Sequence, residues 1–499
     1  MKRMTLGALL VTLLTFGMSQ AGWAETQNVK VSGSIDAYSF YRSNFDLLDN
    51  NDASVIPFGG TVPGNNHGNA TDTITGGSNI SRSDADNFFF TITQVEVSAD
   101  LTDNVSTVVN LINQRDWNAE SLTNADTTTA ATNAAGTNEF DILLDLAYVQ
   151  MKEIFYSPLT LTIGRQDLTF GRGFIVGWNP QDPQGIHQAD EFTQIQSFDA
   201  LRATLDFSPW TLDFVYSKIR EGATNPEDDR DLYITYITYK FAEYNAVADA
   251  YWTGDLDRNT LRGVGTAGTN NSSGTRDIDT QTVGGRAQFD PISQITLGGE
   301  LAYQFGNYRA TQAAGAVFNA NRDREAWATD LFGEYRWDNT WKPMAGVQYV
   351  YLSGEPDLAP GSSQSYGAWN GFFRGPVYGW IHDYLEVNYA TATPNDQPAG
   401  QNQQHISVYG SMQPLEDLKL TAAYWHFWAP EAEHTTTINP NSPTLSSDLG
   451  DEVDLSAIYS YTEDVTFSMM ADWFMPGDAY SKPNDAVATQ LVGEVKVAF

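Results

Sequence analysis

Along most of the chain, apolar residues recur at every second position for about ten residues at a time. Leu201, Ala203, Leu205 and Phe207 alternate with Arg202, Thr204 and Asp206. The same rhythm runs through Ile295/Leu297/Leu301/Tyr303/Phe305 and Val465/Phe467/Met469/Ala471/Trp473. A period of two puts one set on one face of a strand and the other set on the opposite face. Helical spacing at i, i+3, i+4 is absent apart from short turns in loops. Short polar turns at Thr102-Asp103-Asn104, Ser208-Pro209, Asp290–Ser293, Asp338–Thr340 and Thr462–Asp464 alternate with long Gly/Asn/Thr/Asp-rich stretches. The long stretches fall at about 46–86, 117–139, 171–196, 257–277, 307–324, 354–402 and 429–449. Short turns at one end and long loops at the other are the layout of a membrane-spanning antiparallel β-barrel, with the long loops extracellular.

Strand parity sets the number. A first count reaches nineteen, but single-chain bacterial barrels have an even number of strands. The segment Asp383–Ala390 lies between a strand running up at about 341–353 and one at about 403–413 that must run down into the turn Gln413–Asp417. It therefore belongs to a long extracellular or in-folded loop, and the sequence predicts an all-β barrel of eighteen strands.

Both chain ends agree. The last strand, Gln490–Phe499, places Leu491, Val495, Val497 and Phe499 on one face and stops on an aromatic residue. A terminal Phe on an alternating strand resembles the closing strand of Gram-negative outer-membrane barrels, where it serves as an assembly signal. At the other end, Lys2 and Arg3 precede an apolar run from Leu6 to Phe16, with small residues at Gly22 and Ala24. This pattern predicts a signal peptide at 1–24, removed on export, and a barrel domain at 25–499. The run is too short to span a membrane comfortably, which takes roughly 20 residues.

The absence of Cys excludes disulfides and thiolate chemistry. A formal charge of −35 excludes a nucleic-acid footprint. Apolar content of 41% with no long apolar segment suits strands that show lipid one face and water the other.

The parity that turns apolar residues to lipid turns their neighbours inward. Asp36, Glu96, Asp145, Arg202, Asp206, Asp213, Asp249, Arg286, Glu300, Asp330, Glu334, Arg336, Asp454, Asp472, Glu494 and Lys496 are the predicted inward charges. A charge facing lipid costs several kcal/mol, so the lumen is their expected home. Acids outnumber bases there. Trp327, Tyr335, Trp337, Trp341, Tyr349, Tyr351, Trp425 and Trp428 are expected at the membrane–water boundary as aromatic girdles. The stretch 171–196 mixes Phe174, Ile175, Val176 and Trp178 with Arg172, Asp182, Asp190 and Glu191. Folded inward, it would bury the apolar cluster and project the charges into the passage.

Two blocks carry a family resemblance. Gly164-Arg165-Gln166-Asp167-Leu168-Thr169-Phe170-Gly171, followed by Phe198-Asp199-Ala200-Leu201-Arg202, resembles the alginate-export family of outer-membrane porins. Leu449–Leu455 with Trp473–Asp478 is similar to that family's closing hairpin. The resemblance implies an eighteen-stranded monomeric barrel, with Arg165 and Arg202 as pore-lining cations. Leu159, Leu161 and Ile163 face lipid by parity and would carry Arg165 outward too, unless a β-bulge at Gly164 resets the strand. The expected pore-lining set is Arg165, Arg172, Arg202, Arg286, Arg336, Asp145, Asp206, Glu300, Asp330 and Glu334.

Other motifs fall away. Gly263–Gly268 spells GxGxxG in a polar loop with no βα context. Asp255–Asn259 lacks the glycine and closing Glu of a calcium loop. The six histidines show no metal-ligand spacing, and none sits in a catalytic constellation. No cofactor, metal or enzyme activity is expected. Members that export polyanionic alginate resemble one another in an arginine-rich conduit, whereas this lumen is predominantly acidic. The expected function is passive passage of small cationic or neutral hydrophilic solutes across the Gram-negative outer membrane. Export or uptake of a polysaccharide such as alginate is the second reading, and a plugged barrel acting as a surface scaffold or adhesin the third. Lipid and lipopolysaccharide are the expected surroundings.

Overall fold

A computed structural model describes residues 28–45, 47, 85–117, 142–179, 189–221, 229–258, 278–309, 321–356, 365–389, 402–431, 446–479 and 486–499. The expected signal peptide lies outside them, as do parts of the long loops, Asp182 among them. The first six strands are β1 (Asn28–Ser43), β2 (Ala85–Thr102), β3 (Val105–Asp116), β4 (Leu143–Met151), β5 (Leu159–Asp167) and β6 (Ser197–Asp206). Then follow β7 (Trp210–Arg220), β8 (Arg230–Phe241), β9 (Ala246–Asp257), β10 (Ile278–Ile292), β11 (Ile295–Arg309) and β12 (Asn321–Arg336). The last six are β13 (Met344–Leu352), β14 (Gln403–Leu415), β15 (Leu418–Trp428), β16 (Asp448–Ser460), β17 (Val465–Pro476) and β18 (Ala488–Ala498).

Every strand pairs antiparallel with the next, and β18 closes on β1 from Ser34↔Ala498 to Ser43↔Thr489. A closed ring leaves no strand edge, which a hydrocarbon surrounding requires because it offers no hydrogen-bond partner for a free edge. The predicted strand number and closure are therefore observed. The alternation behaves as expected on the outside: Leu201, Phe214, Val283, Leu301, Leu331, Val347, Val408 and Leu455 stand exposed on the outer face. They are the lipid-facing band.

The inner face departs from a purely polar wall. Val215, Leu232, Ile234, Ala302, Val350, Phe427 and Phe474 face inward and are buried, packed with Phe170, Phe174, Val176, Trp369, Phe373, Tyr378, Ile381 and Leu385. That second group belongs to two connections, after β5 and after β13, which fold into the barrel. A smaller apolar cluster on β1–β3 (Tyr38, Phe40, Phe88, Phe90, Ile92 and Ile112) is covered by Phe192 of the first connection. Apolar lumenal residues are stable here because chain, rather than water, lies against them.

Two sequence expectations need correction. Trp380–Tyr389 forms a helix, α1, within the segment read as loop. Its buried face carries Ile381 and Leu385, four residues apart, a pattern too short to stand out against the surrounding strands. Trp425 is not a girdle residue. It pairs with lumen-facing Ser407 and Glu452 across the sheet, and its indole Nε1 donates to Asp454 at 2.7 Å. By contrast Trp327, Tyr335, Trp337 and Trp341 are exposed on the outer surface as expected.

Candidate solute passage

The first in-folded connection leaves β5 through Leu168–Asn179. Its start is a local turn in which Gly173 N–H donates to Phe170 O at 2.9 Å and Phe170 N–H donates to Val176 O at 3.1 Å. The Phe170 ring lies 4.9 Å from Tyr236 of β8, and the Arg172 guanidinium stands 4.0 Å over Phe332 and 3.6 Å from Asp330, both on β12. The returning half, from Ala189, binds the opposite wall. Glu191 pairs with Arg42 of β1, and the Gln194 amide donates to Asp36 at 2.9 Å. The two described ends of this connection are thus anchored on different sides of the wall.

The second connection runs through 353–356, 365–379 and α1. Wall arginines hold it: Arg322 donates to Glu355 at 2.7 Å, Arg324 donates to Ala368 O at 2.7 Å, and Arg230 lies 3.5 Å over the Phe372 ring. Gln304 and Asn370 exchange two hydrogen bonds of 2.8 Å. The first turn of α1 docks on β16, where the two carboxylate oxygens of Glu452 accept the N–H groups of Ile381 and His382 at 2.8 Å each. A carboxylate at a helix N-terminus satisfies otherwise orphaned donors and complements the helix dipole.

The two connections are joined to each other. Gly177 N–H donates to Phe373 O at 2.9 Å and Gly375 N–H donates to Gly173 O at 3.0 Å. A Cβ on Gly177 would stand 3.1 Å from the Gly375 Cα. Glycine suits this crossing, because a side chain would press one backbone against the other and force it to give by a few tenths of an ångström.

Beneath the crossing, the wall carries a belt of paired charges. Arg202 donates to Asp213 at 2.8 Å, Arg286 to Asp249 at 2.7 Å, and Tyr251 to Glu300 at 2.8 Å. Gln348 donates to Asp330 at 2.8 Å, Tyr409 donates to Glu334 at 3.0 Å, and Arg336 bonds both Glu334 and Thr296. Arg42–Glu191, Arg230–Asp255 and Arg374–Asp383 are buried on both sides, but in five other lumenal pairs exposure is lopsided. Arg172 is 34% exposed against 4% for Asp330, Arg336 50% against 16% for Glu334, and Lys496 42% against 0% for Asp36. Arg202–Asp213 and Arg220–Asp257 follow the same order. Short carboxylates sit at the wall and long cationic side chains lean over them. A solute passing the belt meets guanidinium and ammonium groups first.

Of the residues expected to line the pore, Arg172, Arg202, Arg286, Arg336, Glu300, Asp330 and Glu334 converge on this belt. Asp145 lies apart, buried at the top of β4 between Asn110 and Ser197. Asp206 sits at the short-turn end, accepting the Ser208 N–H at 3.0 Å. Arg165 is on the other side of the wall. Gly164 has a positive φ of 123°, yet the β5–β6 register runs without a shift from Leu159↔Leu205 to Asp167↔Ser197. Arg165 therefore stays on the outer face with Ile163 and Leu201, against exposed Asp199 at 3.5 Å. No bulge resets the strand. The sequence reading missed Arg42, Arg230, Arg322, Arg324 and Arg374. Arg322 and Arg324 share parity with Ala326, Ala328 and Asp330, and extending that alternation upward would have found them.

A sequence profile described as "Alginate export" matches residues 76–494. No curated protein sequence matches the chain. The solved structures to which the chain is similar include several proteins of Pseudomonas aeruginosa, among them the outer-membrane proteins OpdK and OprD. OccK9 (OpdG) is 12% identical, covering 95% of this chain and 99% of its own, with a TM-score of 0.49. OpdK is 11% identical over 95% and 99%, with a TM-score of 0.47. OprD is 10% identical over 95% and 95%, with a TM-score of 0.47.

Proposed function

The chain belongs to the alginate-export family of outer-membrane β-barrel channels, and from that premise we propose that its passage is selective for anionic hydrophilic solutes, with carboxylated saccharides the best-matched class. The observation that carries this reading is the orientation of the five lumenal ion pairs that reach water. Arg172, Arg202, Arg220, Arg336 and Lys496 are each the water-facing partner of a more buried carboxylate. Each pair is close to neutral as a whole, but its positive end points at the passage. The nearest charge dominates what a solute feels at contact distance. Side chains with several N–H donors suit carboxylate and hydroxyl groups together.

One observation favours a second reading, passive movement of cations or neutral solutes. Asp454 and Asp472 face each other across β16–β17, and each has an oxygen without a hydrogen-bond partner among the described residues. If such acids dominate the field, cations enter preferentially.

The reversal potential of the full-length protein in a planar bilayer under a potassium chloride gradient separates the two. Anion preference is expected at low salt. It should shrink as the Debye length falls from about 10 Å at 0.1 M to about 3 Å at 1 M. Arg172→Gln combined with Arg336→Gln should weaken it further, and an oligomer of uronic acids should block the current where a neutral oligosaccharide of equal length does not. Cation preference in the unmodified protein would sink this reading and leave the second standing.

A further inference from the structure

The lumenal face of β14 contains a contradiction that points to a moving part. Gln403, His405 and Ser407 alternate on that face and have no exposed surface. Among the described residues, neither the Gln403 amide, nor the two His405 ring nitrogens, nor Ser407 Oγ has a hydrogen-bond partner, and the hydroxyl of Tyr378, which packs against His405 with rings 4.5 Å apart, also has none. Three polar side chains of the wall and one of the in-folded chain are thus buried without partners among the described residues, with Tyr378 lying against His405. In an open lumen each would be hydrated. Burying a polar group without a partner costs free energy, so this contact is less favourable than an apolar one of the same shape.

The chain that lays Tyr378 against His405 has a glycine at each end. It is the five-residue stretch Gly375–Gly379, bounded by glycines. Gly375 is tied to the first connection through Gly173 O at 3.0 Å. Gly379 has a φ of +73°, and a Cβ there would stand 2.8 Å from Glu452 Oε2 and 2.9 Å from the Phe427 ring. Arg374 acts as a latch beside it, donating to Pro376 O at 2.7 Å and to Asp383 of α1 at 2.5 Å, with its guanidinium 4.6 Å from the Tyr378 ring.

We propose that Gly375–Gly379 is a gating strap, closed over His405 in this structure, which opens by swinging about its two glycine ends and admits water to the face of β14. Docking at Glu452 and the Arg374 latch holds it shut, and the unpaired polar groups beneath it keep the closed form poised to open. Two discrete arrangements of one packed element are what a gate needs.

The test is single-channel recording of the full-length protein in planar bilayers, on variants shown to form heat-modifiable barrels. His405→Phe removes the hydration gained on opening, and openings should become roughly tenfold rarer. Ser407→Ala, which fits without rearrangement, must shift the channel in the same direction by less. Gly379→Val drives a side chain into Glu452 and Phe427 and should hold the strap open, so that the high-conductance level predominates. Openings unchanged or more frequent in both His405→Phe and Ser407→Ala would mean that water trapped in the closed form already satisfies these groups, and would overturn the proposal. So would a Gly379→Val channel with native gating. The sign of the reversal potential does not enter any of these outcomes, so the strap and the anion-selective passage fail independently.

Discussion

Replacing Phe499 by Asp is expected to leave little heat-modifiable, membrane-inserted protein. The residue completes the barrel seam: Phe499 N–H donates to Gly33 O at 3.0 Å, and Gly33 N–H donates to Phe499 O at 2.9 Å. The residue is 63% exposed on the outer surface, in line with Val495 and Leu491 on the lipid-facing side of β18. Removing that ring from an apolar surrounding forfeits about 2 kcal/mol, roughly thirtyfold in an equilibrium. The new carboxylate adds a further penalty at the membrane boundary. Phe499→Tyr, which keeps the aromatic ring, should assemble nearly normally. Band-shift electrophoresis of outer-membrane fractions reads both variants, and native yields from the Asp variant would count against a role for this residue in closure.

Glu452→Ala is expected to have the largest effect on conductance without loss of the barrel. Glu452 is wholly buried, and its two oxygens accept the N–H groups of Ile381 and His382 at 2.8 Å each. Alanine removes both acceptors that dock the first turn of the helix. The cost is about 3 kcal/mol, on the order of a hundredfold in the docked fraction. The helix should undock, widening the lumen and exposing the 380–389 segment to added protease in assembled barrels. Glu452→Gln, which retains one acceptor, should fall between. The β15–β16 and β16–β17 ladders use backbone groups, so heat-modifiability should persist. An assembled Ala variant with native conductance and native protease resistance would show that α1 does not narrow the passage.

The barrel was legible because a membrane leaves a strand few choices. Hydrocarbon on one face and the interior on the other impose strict alternation over ten residues, and a strand count must be even for the ring to close as bacterial barrels do. The outer face of β6 and β11, and the inward turn of Arg202, Arg286, Glu300, Asp330 and Glu334, follow from that alternation alone. The local exceptions were less legible. Arg165 needed the register with β6, since a positive φ at Gly164 reads equally well as a bulge or as an uninterrupted strand. Trp425 carries the residue type of a girdle and the parity of the lumen, and parity wins because its indole N–H finds Asp454 inside.

What the sequence determined by itself is the wall: eighteen alternating strands, their direction, and the face on which most charges sit. These are consequences of local period and of solvent contrast, both written in consecutive residues. What only the tertiary structure decided is the filling of that wall. The meeting of Gly177 with Gly375, the clasp of Glu452 on α1, and the burial of His405 under Tyr378 join residues far apart in the chain. The same holds for the passage itself. A count of acids and bases fixes the total charge, but the sign presented to a solute depends on which partner of each pair stands nearer the water, and that is a matter of side-chain length and depth in the closed ring.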